Sequence, residues 1–445
     1  MKYTIPLMVA ALGTIFYAGS ATAQGEPTLS GFGCSGLEQN RELAAIEGKD
    51  GVFFRINADL RMAHPFSDLV VADLAALSEA LAANGTTLIF VPIPTKSVTL
   101  PDHLPPEAAL YGFDLEIATR VHTDILDRLN AAGVVTVDAR SAMQNAPADD
   151  LPFFKADFHW SAAGARETAR AIGETIRALP GYDDLTKVTF ETTHVGEDVA
   201  FSGMRRILQK QCRETLPEAV TAVYETTRVE EQGTDGGLDL FGEAETAVPI
   251  ALVGTSFSDS PINNFPGFIA EYAQLEVVNY ALTGGNQYGG MLSYLTSASF
   301  QETRPRFLIW ENPIYNNLAQ YGDQPMRELI AAASGTCTLP LASTVTETAL
   351  TVDLSPYDLG PEDTLLVDTN RSVGLVADFV FQSAGGATRT KTIVRGDRLT
   401  RTGRFYMPLT GLWADGAQSL TFTMSEPFAA QPSIYACTNS EEEKS

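Results

Sequence analysis

The chain reads as an α/β protein followed by a small all-β module, and three observations predict this. Between residues 40 and 336, short apolar runs alternate with segments of helical periodicity, the rhythm of βαβ units around a parallel sheet with helices on both faces. From about 338 that rhythm gives way to short β-like runs separated by turn residues, the spacing of a β-sandwich. Apolar residues make up 44% against 19% charged, a globular balance that lets 445 residues build two or three cores.

Along the chain, residues 1–23 have the form of a secretory signal. Lys2 is the positive start, an apolar run reaches about Tyr17, and Ala21-Thr22-Ala23 is a small-residue cleavage site. The run is short for a membrane span, so a cleaved signal and a periplasmic protein are expected. Residues 27–336 then form the α/β domain. Its buried strands are expected at 87–93, 134–138, 249–254, 275–280 and 307–310, where successive residues are mostly apolar. Helices are expected at 67–84, 113–132 and 161–178. The last starts behind Ser161, a candidate N-cap, and carries Ala162, Ala165, Ala169, Ile172 and Ile176 as one apolar stripe. A further helix is expected from Asp259-Ser260-Pro261, with capping side chains and then proline at its first position.

Residues 195–247 interrupt the rhythm with Glu197, Asp198, Glu225, Glu230, Glu231, Asp235, Asp239 and the break Gly236-Gly237. They read as an excursion, partly β, lying over the sheet's edge as a surface insertion or a lid. In the module, 338–437, β-runs are expected at 349–354, 364–367, 373–381, 389–394, 405–407 and 419–424, with a disordered tail at 438–445.

The formal net charge is −25, and loss of 1–23 removes one lysine and no acid. That excludes nucleic acid as a partner and general attraction to an anionic membrane. An anionic ligand would need a local basic groove. Arg389, Lys391, Arg395, Arg398, Arg401 and Arg404 fall close together in the module, with Trp413 nearby as a candidate sugar-stacking ring. On strands they make either a stripe for a carboxylate-bearing ligand or a face that neutralises neighbouring acids. Cys34, Cys212, Cys337 and Cys437 all outlast signal cleavage, and an even number in an exported chain implies disulfides. Three pairings are possible. If each domain closes itself, Cys34 pairs with Cys212 and Cys337 with Cys437.

The chemistry lies in Asp157-Phe158-His159-Trp160 and Gly254-Thr255-Ser256. Together they supply a carboxylate, an imidazole and a hydroxyl. An imidazole held in one tautomer by a carboxylate can take the serine proton, which points to acyl transfer through a serine ester. Ser256 follows an expected strand, at the carboxyl edge where open α/β sheets place their sites. The Asp-x-His pair has no third ligand at a metal-binding spacing, and this chemistry needs neither metal nor cofactor. For the oxyanion, the backbone N–H of Ser256 is one candidate donor, and Gly284-Gly285, after the next strand, is another. Lys96, Tyr288, Trp310 and Glu311 stand near strand ends and suit either the cleft or a structural role, and Trp160 suits either a core position or a sugar platform.

In order, Glu47-Gly48-Lys49-Asp50-Gly51-Val52-Phe53-Phe54, Val91-Pro92-Ile93-Pro94-Thr95-Lys96, Asp157-Phe158-His159-Trp160 and Gly254-Thr255-Ser256-Phe257-Ser258 resemble the periplasmic alginate O-acetyltransferases of the AlgX and AlgJ type. The C-terminal β-module makes the AlgX type the nearer likeness. The resemblance implies an SGNH-hydrolase-like fold with a carbohydrate-binding module. It implies Ser256 as nucleophile, His159 as base and Asp157 as its orienter, and it supports the two within-domain disulfides. The acid–histidine pair precedes the serine and is spaced Asp-x-His, as in those acetyltransferases and unlike the Asp-x-x-His of ordinary SGNH esterases. The implied function is O-acetylation of an exported polysaccharide, alginate or a related uronate polymer. Partners would be a membrane O-acyltransferase that relays the acetyl donor and an exopolysaccharide export complex. A carbohydrate acetyl esterase using the same three residues and a non-catalytic glycan-binding scaffold are the alternatives.

Overall fold

The computed structural model describes residues 30–229 and 248–438. The expected signal segment, and the expected tail from residue 439 onward, lie outside them.

A parallel five-stranded sheet runs in the order Val135–Thr136, Thr87–Ile93, Phe307–Pro313, Ile250–Val253, Val277–Asn279. Because successive strand side chains point to opposite faces, the apolar runs build two cores. Ile89, Val91, Leu252 and Ile309 join helices Ala162–Ala178 and Phe265–Ala273 in one. Leu88, Phe90, Val253 and Trp310 join helices Asp68–Ala82 and Gln324–Ser334 in the other. This is the doubly covered parallel sheet expected from the sequence.

Three elements differ from expectation. The strand at 134–138 pairs only at Val135–Thr136, because Asp138 turns away to cap the short helix Ala139–Met143, its side chain accepting from Ser141 N–H. The helix expected from 259 is broken up. Ser256–Asp259 makes one turn, Pro261 opens a single 3-10 turn to Asn263, and the longer helix starts only at Phe265, after Asn264 adopts a left-handed φ of 48°. The excursion begins earlier than expected. Its hairpin, Phe190–Val199 with Val220–Arg228, packs on helices rather than over the sheet's edge, and the helix Gly203–Gln209 between its strands sets Met204 and Leu208 against Leu37, Ala45 and Phe53. The reason is aromatic: Tyr224 meets Phe268 edge-on at 5.3 Å.

A hairpin that the strand pattern does not announce, Ala45–Glu47 with Phe53–Arg55, lies on the amino-terminal side. The Cys34–Cys212 disulfide ties the segment before it to the chain just beyond helix Gly203–Gln209.

The C-terminal module is a sandwich of two antiparallel sheets. One has the order Leu339–Pro340, Ser433–Cys437, Thr364–Asp368, Arg404–Pro408. The other has Ser343–Val345, Ala349–Asp353, Ser419–Met424, Val376–Gln382, Thr388–Val394. Alternate residues Leu350, Phe379, Phe381, Leu365, Phe405 and Phe422 fill the space between them. Strand Arg404–Pro408 lies against helix Gln324–Ser334, and the Cys337–Cys437 disulfide closes the module at its root.

Candidate active site

Ser256 is the first residue after the Gly254-Thr255 turn that leaves strand Ile250–Val253. The turn is held from below by Glu311, in the neighbouring strand Phe307–Pro313. This fully buried carboxylate accepts from Thr255 N–H at 2.8 Å, Thr255 Oγ1 at 3.1 Å and Ser258 Oγ at 2.9 Å. Gly254 is required by the same contact: any Cβ there would strike the Glu311 side chain. Burial pushes the Glu311 carboxyl up to about 7, against those hydrogen bonds and the pull of His159.

The loop 154–161 brings the other two groups. Asp157 Oδ1 accepts from the backbone N–H of His159 at 2.8 Å and faces its Nδ1 at 2.6 Å. His159 Nε2 faces Ser256 Oγ at 2.8 Å. An ionised carboxylate only accepts, so Nδ1 carries the proton and Nε2 is free to take the one on Ser256. Asp157 is buried, which by itself raises its pKa. Hydrogen bonds from His159 and from the Ser202 hydroxyl at 2.5 Å nevertheless hold it below the usual carboxylate range. His159 lies between Phe158 at 4.2 Å and Phe257 at 4.9 Å, ring to ring, which fixes its plane.

Several residues expected in the cleft serve the frame instead. Trp160 is fully buried: its indole N–H donates to Phe257 O at 2.9 Å, and its ring packs on Phe265 at 4.5 Å. It is a strut that joins the histidine loop to the serine turn, not a sugar platform. Lys96 is equally enclosed. Its Nζ donates among the carbonyl oxygens of Phe53, Phe154, Lys155 and Asp157, at 2.6–3.0 Å. Tyr288 is buried and gives its hydroxyl proton to Leu318 O. Trp310 is buried in the second core.

Of the glycine turn, Gly285 spends its N–H on Leu282 O at 3.2 Å, so it is not a free oxyanion donor. Gly284 takes a left-handed φ of 74° under the Arg398 side chain. The turn itself stays beside the Gly254-Thr255-Ser256 segment, since Leu282 N–H reaches Gly254 O. The Ser256 N–H, at the start of its helical turn, has no intrahelical acceptor.

The arginine stripe is largely consumed. Arg395 forks onto the buried Glu328 carboxylate, so it ties the module to the α/β domain rather than facing a glycan. Arg404 pairs with Asp368, and Lys391 reaches the carbonyls of Pro408 and Thr410. Arg398 and Arg401 are exposed, each with one contact to a carbonyl, Thr283 O and Val373 O. Trp413 is half-buried beneath Arg389, 4.9 Å from ring centre to guanidinium.

Sequence reasoning missed two residues around the Asp157–His159–Ser256 series. Ser202 lies 45 residues from Asp157, with no local signal. Tyr315, just past strand Phe307–Pro313, meets the Arg55 guanidinium, which also stacks on Phe158 at 4.4 Å and pairs with Asp59. Its place beyond a strand's carboxyl end was the available clue.

Residues 45–314 match the family described as SGNH hydrolase-like domain, acetyltransferase AlgX. Alginate biosynthesis protein AlgX of Pseudomonas aeruginosa is 32% identical over 275 residues, 62% of this chain and 56% of that protein. Probable alginate O-acetylase AlgJ of the same organism is 30% identical over 245 residues, 52% of this chain and 60% of that protein. The chain thus spans a little over half the length of these relatives. In three dimensions it resembles solved P. aeruginosa AlgX with a TM-score of 0.73 and 25% identity, over 89% of this chain and 94% of that one. The O-acetyltransferase domain of P. putida AlgJ overlays with a TM-score of 0.52 at 21% identity, a likeness of fold, covering 64% of this chain and 98% of that domain.

Proposed function

Because this chain belongs to the AlgX family of SGNH hydrolase-like acetyltransferase domains, we propose that it is an exported O-acetyltransferase that modifies a polysaccharide through an acetyl-serine at Ser256. The observation that carries this reading is the unbroken series Asp157 Oδ1, His159 Nδ1, His159 Nε2, Ser256 Oγ, with steps of 2.6 and 2.8 Å. His159 Nε2 takes the hydroxyl proton as Ser256 Oγ attacks the acetyl carbonyl carbon. The bond to the donor's leaving group breaks, and that group departs with the proton. In the second half His159 removes a proton from a sugar hydroxyl, whose oxygen takes the acetyl carbon; the bond from that carbon to Ser256 Oγ breaks, and His159 returns the proton to Oγ. Asp157 stabilises the imidazolium in both halves. The Ser256 N–H is the first oxyanion donor in this scheme.

The acceptor is proposed to be an exopolysaccharide, alginate or a related uronate polymer, on the strength of what the relatives' names say of them. The exposed Arg398 and Arg401 and the half-buried Trp413 are its candidate contacts on the C-terminal module. Export to the periplasm, and an acetyl donor relayed by a membrane O-acyltransferase within an export assembly, belong to the same proposal. The two disulfides agree with an oxidising compartment.

The test is acetyl transfer from a chromogenic acetyl ester to a panel of oligosaccharides that includes oligouronates, with products read by mass spectrometry. Acetylated sugar made by wild type and lost in Ser256→Ala is expected. Serine-dependent release of acetate with no acetylated sugar would make the protein an esterase instead.

A further inference from the structure

The excursion 190–229 touches the triad in a way that an ordinary surface insertion would not. Three of its hydroxyls are directed at the two loops that must meet for catalysis. Ser202 Oγ is 2.5 Å from Asp157 Oδ2, the carboxylate oxygen that His159 does not use. Its lone pairs accept from Arg205 N–H at 2.9 Å, capping helix Gly203–Gln209. The hydroxyl proton is therefore directed at Asp157, the charged and nearest acceptor, rather than at Ala156 O at 3.3 Å. Thr221, on the second hairpin strand, accepts from Ala162 N–H at 2.9 Å, at the start of the helix that follows His159-Trp160. Thr226 accepts from Asn264 Nδ2 at 2.9 Å, on the segment that follows Ser256. Both Ser202 and Thr221 are buried.

We propose that this hairpin and helix act as a brace for the active site and that Ser202 is a positioning residue for Asp157, completing a hydrogen-bonded series Ser202–Asp157–His159–Ser256. The inference rests on the acyl-transfer reading above. A hydroxyl on Oδ2 does two things. It fixes the carboxylate plane so that Oδ1 meets Nδ1, and it spreads the negative charge away from the imidazole. Without it Asp157 rotates more freely and the remaining charge concentrates toward His159. The imidazolium then holds its proton to higher pH, so less of the enzyme has the free base that attack requires. The other ionisable groups around the pair are Glu311 under the serine turn, Lys96 on Asp157 O, and Arg55 against Phe158. None of these is altered by the substitutions, so their titration is common to wild type and variants.

The experiment measures labelling of Ser256 by a fluorophosphonate in the full-length protein as a function of pH, with Ser256→Ala as the blank. This reads nucleophilicity without any choice of acyl donor or acceptor. Ser202→Ala is expected to slow labelling about tenfold or more and to move the acid-side midpoint upward by roughly half a unit. Ser202→Thr, which keeps the hydroxyl, should restore both. Thr221→Ala removes a brace contact that does not touch Asp157, so it should lower the melting temperature without moving the midpoint. If loss of the helix cap unfolds Ser202→Ala, Ser202→Gly serves in its place, since glycine is tolerated at N-caps. An unchanged rate and midpoint in the folded Ser202 variant, or an equal midpoint shift in Thr221→Ala, overturns the proposal. A wild type that labels no faster than Ser256→Ala overturns the acyl-transfer reading itself, which separates the two failures.

Discussion

Lys96 carries an ammonium group to a place that water does not reach. Burial pulls its pKa down to about 7, while Asp59 and Asp157 pull the other way. The four atoms around Nζ are carbonyl oxygens, which only accept. The site therefore suits the protonated form, with its three protons shared among four acceptors. Those carbonyls come from hairpin residue Phe53 and from three residues of the loop that carries Asp157. One side chain thus gathers the segments behind the triad. Lys96→Met keeps the bulk of the stem but leaves these buried carbonyls without a donor. It should cost about 3 kcal/mol or more in denaturant unfolding and lower turnover with it. A loss under about 0.5 kcal/mol, the level of a surface change, would show that the carbonyls find other partners.

At the scale of elements, the nucleophile turn and the strand Phe307–Pro313 depend on each other through Glu311. Its carboxyl titrates near 7 rather than at the usual 4.5 because it is buried. Between those values the folded protein keeps a proton that the unfolded chain has lost, so stability falls as pH rises through that window. Glu311→Gln removes the titration but keeps an acceptor for the Thr255 N–H. Melting temperatures of wild type and Glu311→Gln, compared from pH 4.5 to 7.5, should diverge. Wild type should lose on the order of 3 kcal/mol relative to the variant across the window. Parallel curves would mean that the carboxyl titrates at its ordinary value. The turn is an element that local pattern reads only in part: glycine and serine after an apolar run are visible, whereas the acid that makes glycine necessary lies 57 residues beyond it.

Across the whole molecule, the two parts of the chain are joined by a buried ion pair as well as by a disulfide. Arg395 on the module and Glu328 on helix Gln324–Ser334 are almost entirely enclosed, with side-chain exposures of 11% and 0%. Glu328 also accepts from Tyr406 N–H at 3.1 Å and from Gln324 Nε2 at 2.9 Å. Glu328→Ala would strand a buried guanidinium and should cost about 3–5 kcal/mol, whereas Glu328→Met with Arg395→Met should cost less. Thermal unfolding of the three proteins checks this. If the double variant is the least stable, the pair contributes more than its desolvation cost. The arginines that the sequence groups together are thus divided by the fold. Some anchor the module, and Arg398 and Arg401 are left exposed.

The layered α/β sheet, the β-sandwich that follows it and the acid, imidazole and hydroxyl of the candidate site are all legible in the local sequence. Periodicity and residue chemistry are local properties: a run such as Ile250–Val253 is buried wherever it packs, and an Asp-x-His before a capped helix keeps its spacing in any context. Tertiary structure alone decided which polar and aromatic residues face the cleft. Trp160, Lys96, Tyr288 and Arg395 stand where exposed site residues also stand, and they were enclosed by partners 30 to 97 residues away, beyond the reach of any local pattern. The same long-range closure brought Ser202 onto Asp157, because a hydroxyl finds its carboxylate only once the excursion has folded back over the site.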